Sequence, residues 1–215
     1  MKELFIKFLP VSIAAASLVP NAFDAAGVEW QSICCVNWKE YPYCPEVRFR
    51  VAHDGKNIYV QYEVHEQTVR ALADSDNGRV WEDACCEFFL AVSPDAYYNM
   101  ECSCAGKLLV AWGHDRSNRE TAPIDIVEKV DRWTSLGTDT FAEKETDGPW
   151  QLALSIPVGI FFKDHVDGLS GKVYRGNFYK CGDGLRNPHF VSWNPIDVPA
   201  PDFHRPDHFG ALRFE

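Results

Sequence analysis

Short runs of period-2 alternation, broken at roughly 8–12-residue spacing by turn signals, constrain this chain more than any other feature in it. Val47, Phe49 and Val51 alternate with Arg48 and Arg50; Ile58, Val60, Tyr62 and Val64 alternate with Tyr59, Gln61 and Glu63. Between the two runs lies His53-Asp54-Gly55-Lys56, and an Asp-Gly turn joining two such runs makes a β-hairpin. Further strands are predicted at Cys85–Val92, Tyr97–Cys104, Lys107–Trp112, Ile124–Val130, Trp150–Ile156, Lys172–Cys181 and Ala211–Phe214. Leu4–Phe8 reads as an edge strand, and Asn21 as the cap of a short helix that runs to Ala26 and stops at Gly27. The polar stretch Asp115–Pro123 reads as a loop. Asn187–Pro206 carries Pro188, Pro195, Pro199, Pro201 and Pro206, which forbid a central strand there. The expected fold is all-β: an antiparallel β-sandwich, jelly-roll-like, with a short N-terminal helix and a long Pro-rich C-terminal loop. Residues 1–215 read as one domain.

Charge limits the partners. Lys+Arg total 21 against Asp+Glu 31, a net charge of −10. Such a chain has no global attraction for phosphate backbones, so nucleic acid is excluded as a partner class. The eight cysteines read as free structural thiols, because Cys34-Cys35 and Cys85-Cys86 sit in apolar runs and adjacent strand residues face opposite ways. Cys102 and Cys104 share a strand face, a candidate metal pair without a second pair at zinc spacing. Met1–Val19 has the outline of a secretory leader, with Lys2 and Lys7 ahead of an apolar stretch. Lys7 and Pro10 interrupt that stretch, and no small-residue cleavage site follows. With free thiols, this favours a cytoplasmic protein over a secreted or periplasmic one. No segment reaches the run of about 18 apolar residues that spans a membrane.

Three clusters could carry chemistry. Trp81, Glu82 and Asp83 precede a strand that contains Glu87 among apolar residues, and a carboxylate there needs a partner. Glu101 lies in the next predicted strand, so Glu87 and Glu101 could form a carboxylate pair, as ion-pair partners or as a glycoside-hydrolase dyad. Asn177, Tyr179 and Cys181 alternate with Phe178 and Lys180, and Lys180 would pair with one of the acids. The Gly182-Asp183-Gly184 turn could offer oxygens to calcium, although no DxDxDG loop is present. His204 and His208 are four apart in Pro-rich sequence, where helical spacing means little. GxSxG, HExxH, P-loop and GxGxxG motifs are absent.

Four stretches together resemble a known family. They are Val36-Asn37-Trp38-Lys39-Glu40-Tyr41-Pro42-Tyr43; Val80-Trp81-Glu82-Asp83 with Glu87-Phe88-Phe89; Asn177-Phe178-Tyr179-Lys180-Cys181-Gly182-Asp183; and Ser192-Trp193-Asn194-Pro195 running into Pro201-Asp202-Phe203-His204-Arg205-Pro206 and Phe209-Gly210. The chain resembles family 9 carbohydrate-binding modules, in the stand-alone subgroup of gut-type bacteria. The resemblance implies a β-sandwich that holds a mono-, di- or oligosaccharide between two aromatic side chains, over polar strand residues, in glycan utilisation and without catalysis. It places the walls at Trp81 and Phe203 and the polar grip at Glu87, Glu101, Lys180 and Asn177, with Trp193 alongside. A family arginine falls near Glu101 and a family glutamine on Lys180, so charge is swapped across the site. Calcium is the one cofactor the resemblance leaves open. The rival readings are a hydrolase using Glu87 and Glu101, and a decayed module with an interaction role.

Overall fold

The Asp-Gly hairpin forms as its alternation requires. Glu46–His53 and Asn57–His65 pair antiparallel, from Glu46↔His65 to His53↔Ile58. Asp54 fixes the turn: its carboxylate accepts from the backbone N–H of Lys56 (2.9 Å) and Asn57 (2.7 Å) and from the Tyr59 hydroxyl (2.6 Å). Gly55 takes φ +90°, which an L side chain rarely adopts. The computed structural model describes residues Met1–Glu215. Strands make up 41% of them and helices 11%, which settles the all-β class.

Two antiparallel layers face each other. One runs Arg119–Thr121, Leu108–Gly113, Tyr97–Ser103, Cys85–Ala91, Val173–Cys181, Gly210–Phe214. The other runs Glu46–His53, Asn57–His65, Trp150–Pro157, Asp131–Thr134. Between them lies the main core, centred on a column of three rings. Phe49 stacks on Phe178 at 3.9 Å between centroids, and Phe178 on Phe88 at 4.6 Å. The Pro-rich segment then covers the outer face of the first layer, burying a second cluster of Trp38, Phe89, Tyr97, Tyr179, Phe203 and Phe209. The strand Cys85–Ala91 is therefore buried on both faces, which is why every residue in it except Glu87 is apolar.

Five local expectations need correction. Glu3–Phe8 is a strand but not an edge: residues 3–6 pair parallel with 211–214 and residues 7–8 parallel with 52–53, so it joins the two layers. Asn21 does not cap the helix, which spans Val19–Ala26 from Leu18 with no side-chain cap; Pro20 starts it, and Gly27 ends it at φ +61°. Ile124–Val130 is not a strand. Its first residues form the short helix Ile124–Val127, with the Val127 N–H donating to the Pro123 carbonyl (3.2 Å). The alternation of Ile124, Ile126 and Val130 suited either structure, and Pro123 at the entry decides for helix. Asp115–Pro123 contains a strand, Arg119–Thr121, and the irregular C-terminal segment contains another, Phe190–Ser192.

Candidate functional site

Register decides which side chains meet. Glu87 lies directly opposite Glu101 on one side and Tyr179 on the other; Cys85 lies opposite Ser103 and Cys181. With period-2 geometry, Cys85, Glu87, Asn99, Glu101 and Cys181 all point to the outer face of their sheet. There Glu87, Asn99, Glu101 and Cys181 floor a cavity of about 320 Å³. Trp81, Phe190 and Phe203 supply its aromatic wall, and Arg116, Arg119, Asp183, Asp202 and His204 its charged and polar rim.

Trp81 is half-buried at the mouth, in the turn Val80–Glu82. Two contacts hold that turn in place. The Asp183 and Gly184 N–H groups donate to the Trp81 and Glu82 carbonyls (3.1 and 3.0 Å), docking the Gly182-Asp183-Gly184 turn alongside. Asp83, fully buried, accepts from Arg70 Nε (3.1 Å) and from the backbone N–H of Leu72 (2.9 Å) and Ala73 (2.8 Å). Phe203 is only 8% exposed. Tyr179 covers one of its faces, with centroids 4.2 Å apart and ring planes 11° apart, and the Tyr179 hydroxyl donates to the Phe203 carbonyl (3.1 Å).

The floor is electrostatically unusual. Burial pushes the Glu87 carboxyl well above its ordinary range, and the charge of Glu101 adds to the shift. Burial likewise raises Glu101, to about 7, against the opposing pull of Asn99 and Arg119. Asn99 Nδ2 donates to Glu101 Oε1 (2.6 Å), while Arg119 donates to Asn99 Oδ1 and sits 4.7 Å over the Tyr97 ring. Asp183 is raised to about 6, mainly by burial. His204 is neutral, pushed down to about 3 by burial and the nearby arginines, with Nδ1 2.9 Å from the Tyr97 hydroxyl. The floor thus sets two carboxyls whose ionisation burial disfavours beside an amide and a guanidinium within one small space, a set rich in both donors and acceptors.

Of the residues singled out from sequence, Trp81, Glu87, Glu101 and Phe203 line this cavity; Lys180, Asn177 and Trp193 do not. Lys180 pairs with Cys86 in register, which turns it to the other face. There Nζ lies 2.9 Å from Glu66 Oε2 and donates to His189 Nε2 (2.8 Å), rather than meeting Glu87 or Glu101. Asn177 braces the Pro-rich segment, donating to the Asn194 carbonyl (3.0 Å) and accepting from its N–H (2.9 Å). Trp193 packs edge-on to Phe49 and Phe178 in the core. Asn99 and Arg119 went unread, while Asp183 and His204 were noted but not placed in the sugar site. Asn99 shares the Glu101 face by alternation, a signal present in the sequence; Arg119 stood in a segment read as loop.

The only three-residue convergence of His, Cys, Asp or Glu donors in the chain is Cys85, Glu87 and Cys181. Calcium takes six to eight oxygens, and this set is mostly sulfur. Cys102 and Cys104 gather no third donor; their thiols point into the core.

The sequence profile of carbohydrate-binding family 9 matches residues 17–214. A candidate carbohydrate-binding protein of Bacteroides uniformis ATCC 8492 is 48% identical and superposes with TM-score 0.97 over 100% of this chain and 99% of its own. Two structures of a family 9 module from Caldicellulosiruptor kristjanssonii share the fold. One, with cellotriose, is 13% identical at TM-score 0.59, covering 100% of this chain and 94% of its own. The other, with glucose, is 15% identical at TM-score 0.55, covering 100% and 96%. No functionally curated protein matches the chain. With the profile spanning all but the first 16 residues and the last one, this chain belongs to carbohydrate-binding family 9.

Proposed function

We propose that the protein binds carbohydrate without turning it over, one sugar ring seated in the cavity against Trp81 and over Glu87, Asn99 and Glu101, in glycan utilisation. The observation that carries this reading is the meeting of a half-open indole with a floor of mixed donors and acceptors. A pyranose has an apolar C–H face that buries well on a flat ring, and equatorial hydroxyls that each need in-plane partners. Phe203 also lines the cavity, one of its faces covered by Tyr179. Asn177, Lys180 and Trp193 act from behind, holding the floor strand and the covering segment. The volume of about 320 Å³ sits at the small end of ligand cavities, roughly 300–1,000 Å³, which favours a monosaccharide or the end of a short chain.

Titration calorimetry against a glycan panel tests the reading. Glucose and cello-oligosaccharides come first, because the distant family members were crystallised with them. Trp81→Ala is expected to cost about 1–3 kcal/mol of sugar affinity. Sugar binding that Trp81→Ala leaves untouched places the site elsewhere. One observation favours a second reading, hydrolysis: Glu87 and Glu101 are direct cross-strand neighbours, with both carboxyls shifted up. Release of reducing sugar that Glu101→Gln abolishes would establish that reading in place of simple binding.

A further inference from the structure

At the floor of the same cavity, two thiols and the carboxyl of Glu87 converge. Cys85 and Cys181 are cross-strand partners, and Glu87 is two residues along from Cys85 on the same face. The two Sγ atoms and a Glu87 carboxyl oxygen all lie within 4.8 Å of one another, and Cys181 Sγ donates to Glu87 Oε1 at 3.0 Å. All three side chains are almost fully buried, at 0%, 1% and 3% exposure for Cys85, Cys181 and Glu87. Thiols acting only as small apolar fillers explain the burial of the cysteines. They do not explain a carboxyl aimed at the pair with no ion-pair partner of its own.

We propose that Cys85, Cys181 and Glu87 form a binding site for a thiophilic divalent cation of the zinc class, with the fourth coordination position open to the cavity. Zinc binds sulfur at about 2.3 Å and carboxylate oxygen at about 2.0–2.2 Å in a tetrahedron, which sets its ligands about 3.5–3.8 Å apart. The donors here already bracket that spacing, so closure needs side-chain shifts of about 1 Å at most. Glu87 and Cys181 line the cavity, which gives the ion its entry path and leaves its outer position to water or a ligand oxygen. On binding, the two thiol protons and the carboxyl proton leave to solvent, and three anionic donors with one divalent cation carry a net charge of −1. This site does not depend on the sugar reading.

Titrating the full chain with Cd²⁺ alone, a spectroscopic stand-in for Zn²⁺, tests the proposal. Cys34, Cys35 and Cys44, the three cysteines that are not buried, are first changed to Ser. In that background a thiolate-to-metal charge-transfer band is expected to saturate at one equivalent, and Zn²⁺ is expected to displace Cd²⁺. Cys181→Ser and Glu87→Gln, each checked for an unchanged melting transition, should weaken binding by at least the roughly 10–100-fold that loss of an outer-shell partner costs. Glu87→Gln keeps both thiols, so it remains informative if Cys181→Ser fails to fold. Absence of the band in the background protein, or affinity unchanged by Glu87→Gln, overturns the site.

Discussion

Lys180 stays charged inside the sheet because its neighbours complete it. Burial, the largest single influence, would lower its pKa, but the charge and hydrogen bond of Glu66, helped by Cys86 and Cys181, leave it raised. Glu66 is held in turn by Trp150 Nε1, which donates to Oε1 at 2.9 Å. Removing one partner leaves the other uncompensated, so Lys180→Met is expected to cost about 3–5 kcal/mol in urea unfolding. Lys180→Met combined with Glu66→Leu should recover much of that loss, because no buried charge then remains. His189 completes the cluster as a neutral acceptor, its Nδ1–H donating to the Asn187 carbonyl (2.9 Å). Burial and the Lys180 charge push its pKa down to about 2. Below the unfolded value near 6.5, the unfolded chain takes up a proton that folded His189 refuses, so stability falls as pH falls towards 2. His189→Gln keeps an acceptor for Lys180 and removes this loss. The stability difference between pH 7 and pH 5 should shrink by about 2 kcal/mol, read from urea curves at the two pH values.

At the scale of elements, the turn before the Cys85–Ala91 strand links fold to site. Asp83→Ala strips Leu72 N–H, Ala73 N–H and Arg70 of their acceptor. At about 1–3 kcal/mol for each group left unpaired, the loss should be about 3 kcal/mol or more. Because the same turn presents Trp81, sugar affinity should fall with stability, which calorimetry on the folded fraction would register. Much at this scale was legible in advance. The Asp-Gly hairpin announced itself through alternation and turn chemistry together, and the facing of Glu87 and Glu101 followed from alternation in neighbouring strands. What was lost was lost for physical reasons. Lys180 lies in register with Cys86 and faces the layer opposite to the cavity, because adjacent strand residues point to opposite faces, and the register that decides this is not local to the sequence. Glu3–Phe8 looks like an edge strand because nothing local reveals that both layers will flank it.

For the whole molecule, that first strand is the closure. Ile6 has no exposed surface and belongs to the main core. Ile6→Ala is expected to cost about 2–5 kcal/mol in urea unfolding, from lost burial and the cavity left behind, while leaving affinity at the distant cavity unchanged in the folded fraction. The seam also sets a schedule. Leu4 and Ile6 pair with Leu212 and Phe214, so the slot they fill does not exist until the 208 positions from Leu4 to Leu212 have been made. At about 5–20 residues per second, ribosomal synthesis of that stretch takes about 10–40 s, and through that interval the early strand waits with its apolar side chains unplaced. The edge of Glu46–His53 that Lys7 and Phe8 later cover waits with it, a row of unpaired backbone groups. A neighbouring nascent chain carries the same first strand and can enter the same slot, so rapid overexpression should yield strand-exchanged dimers beside the monomer.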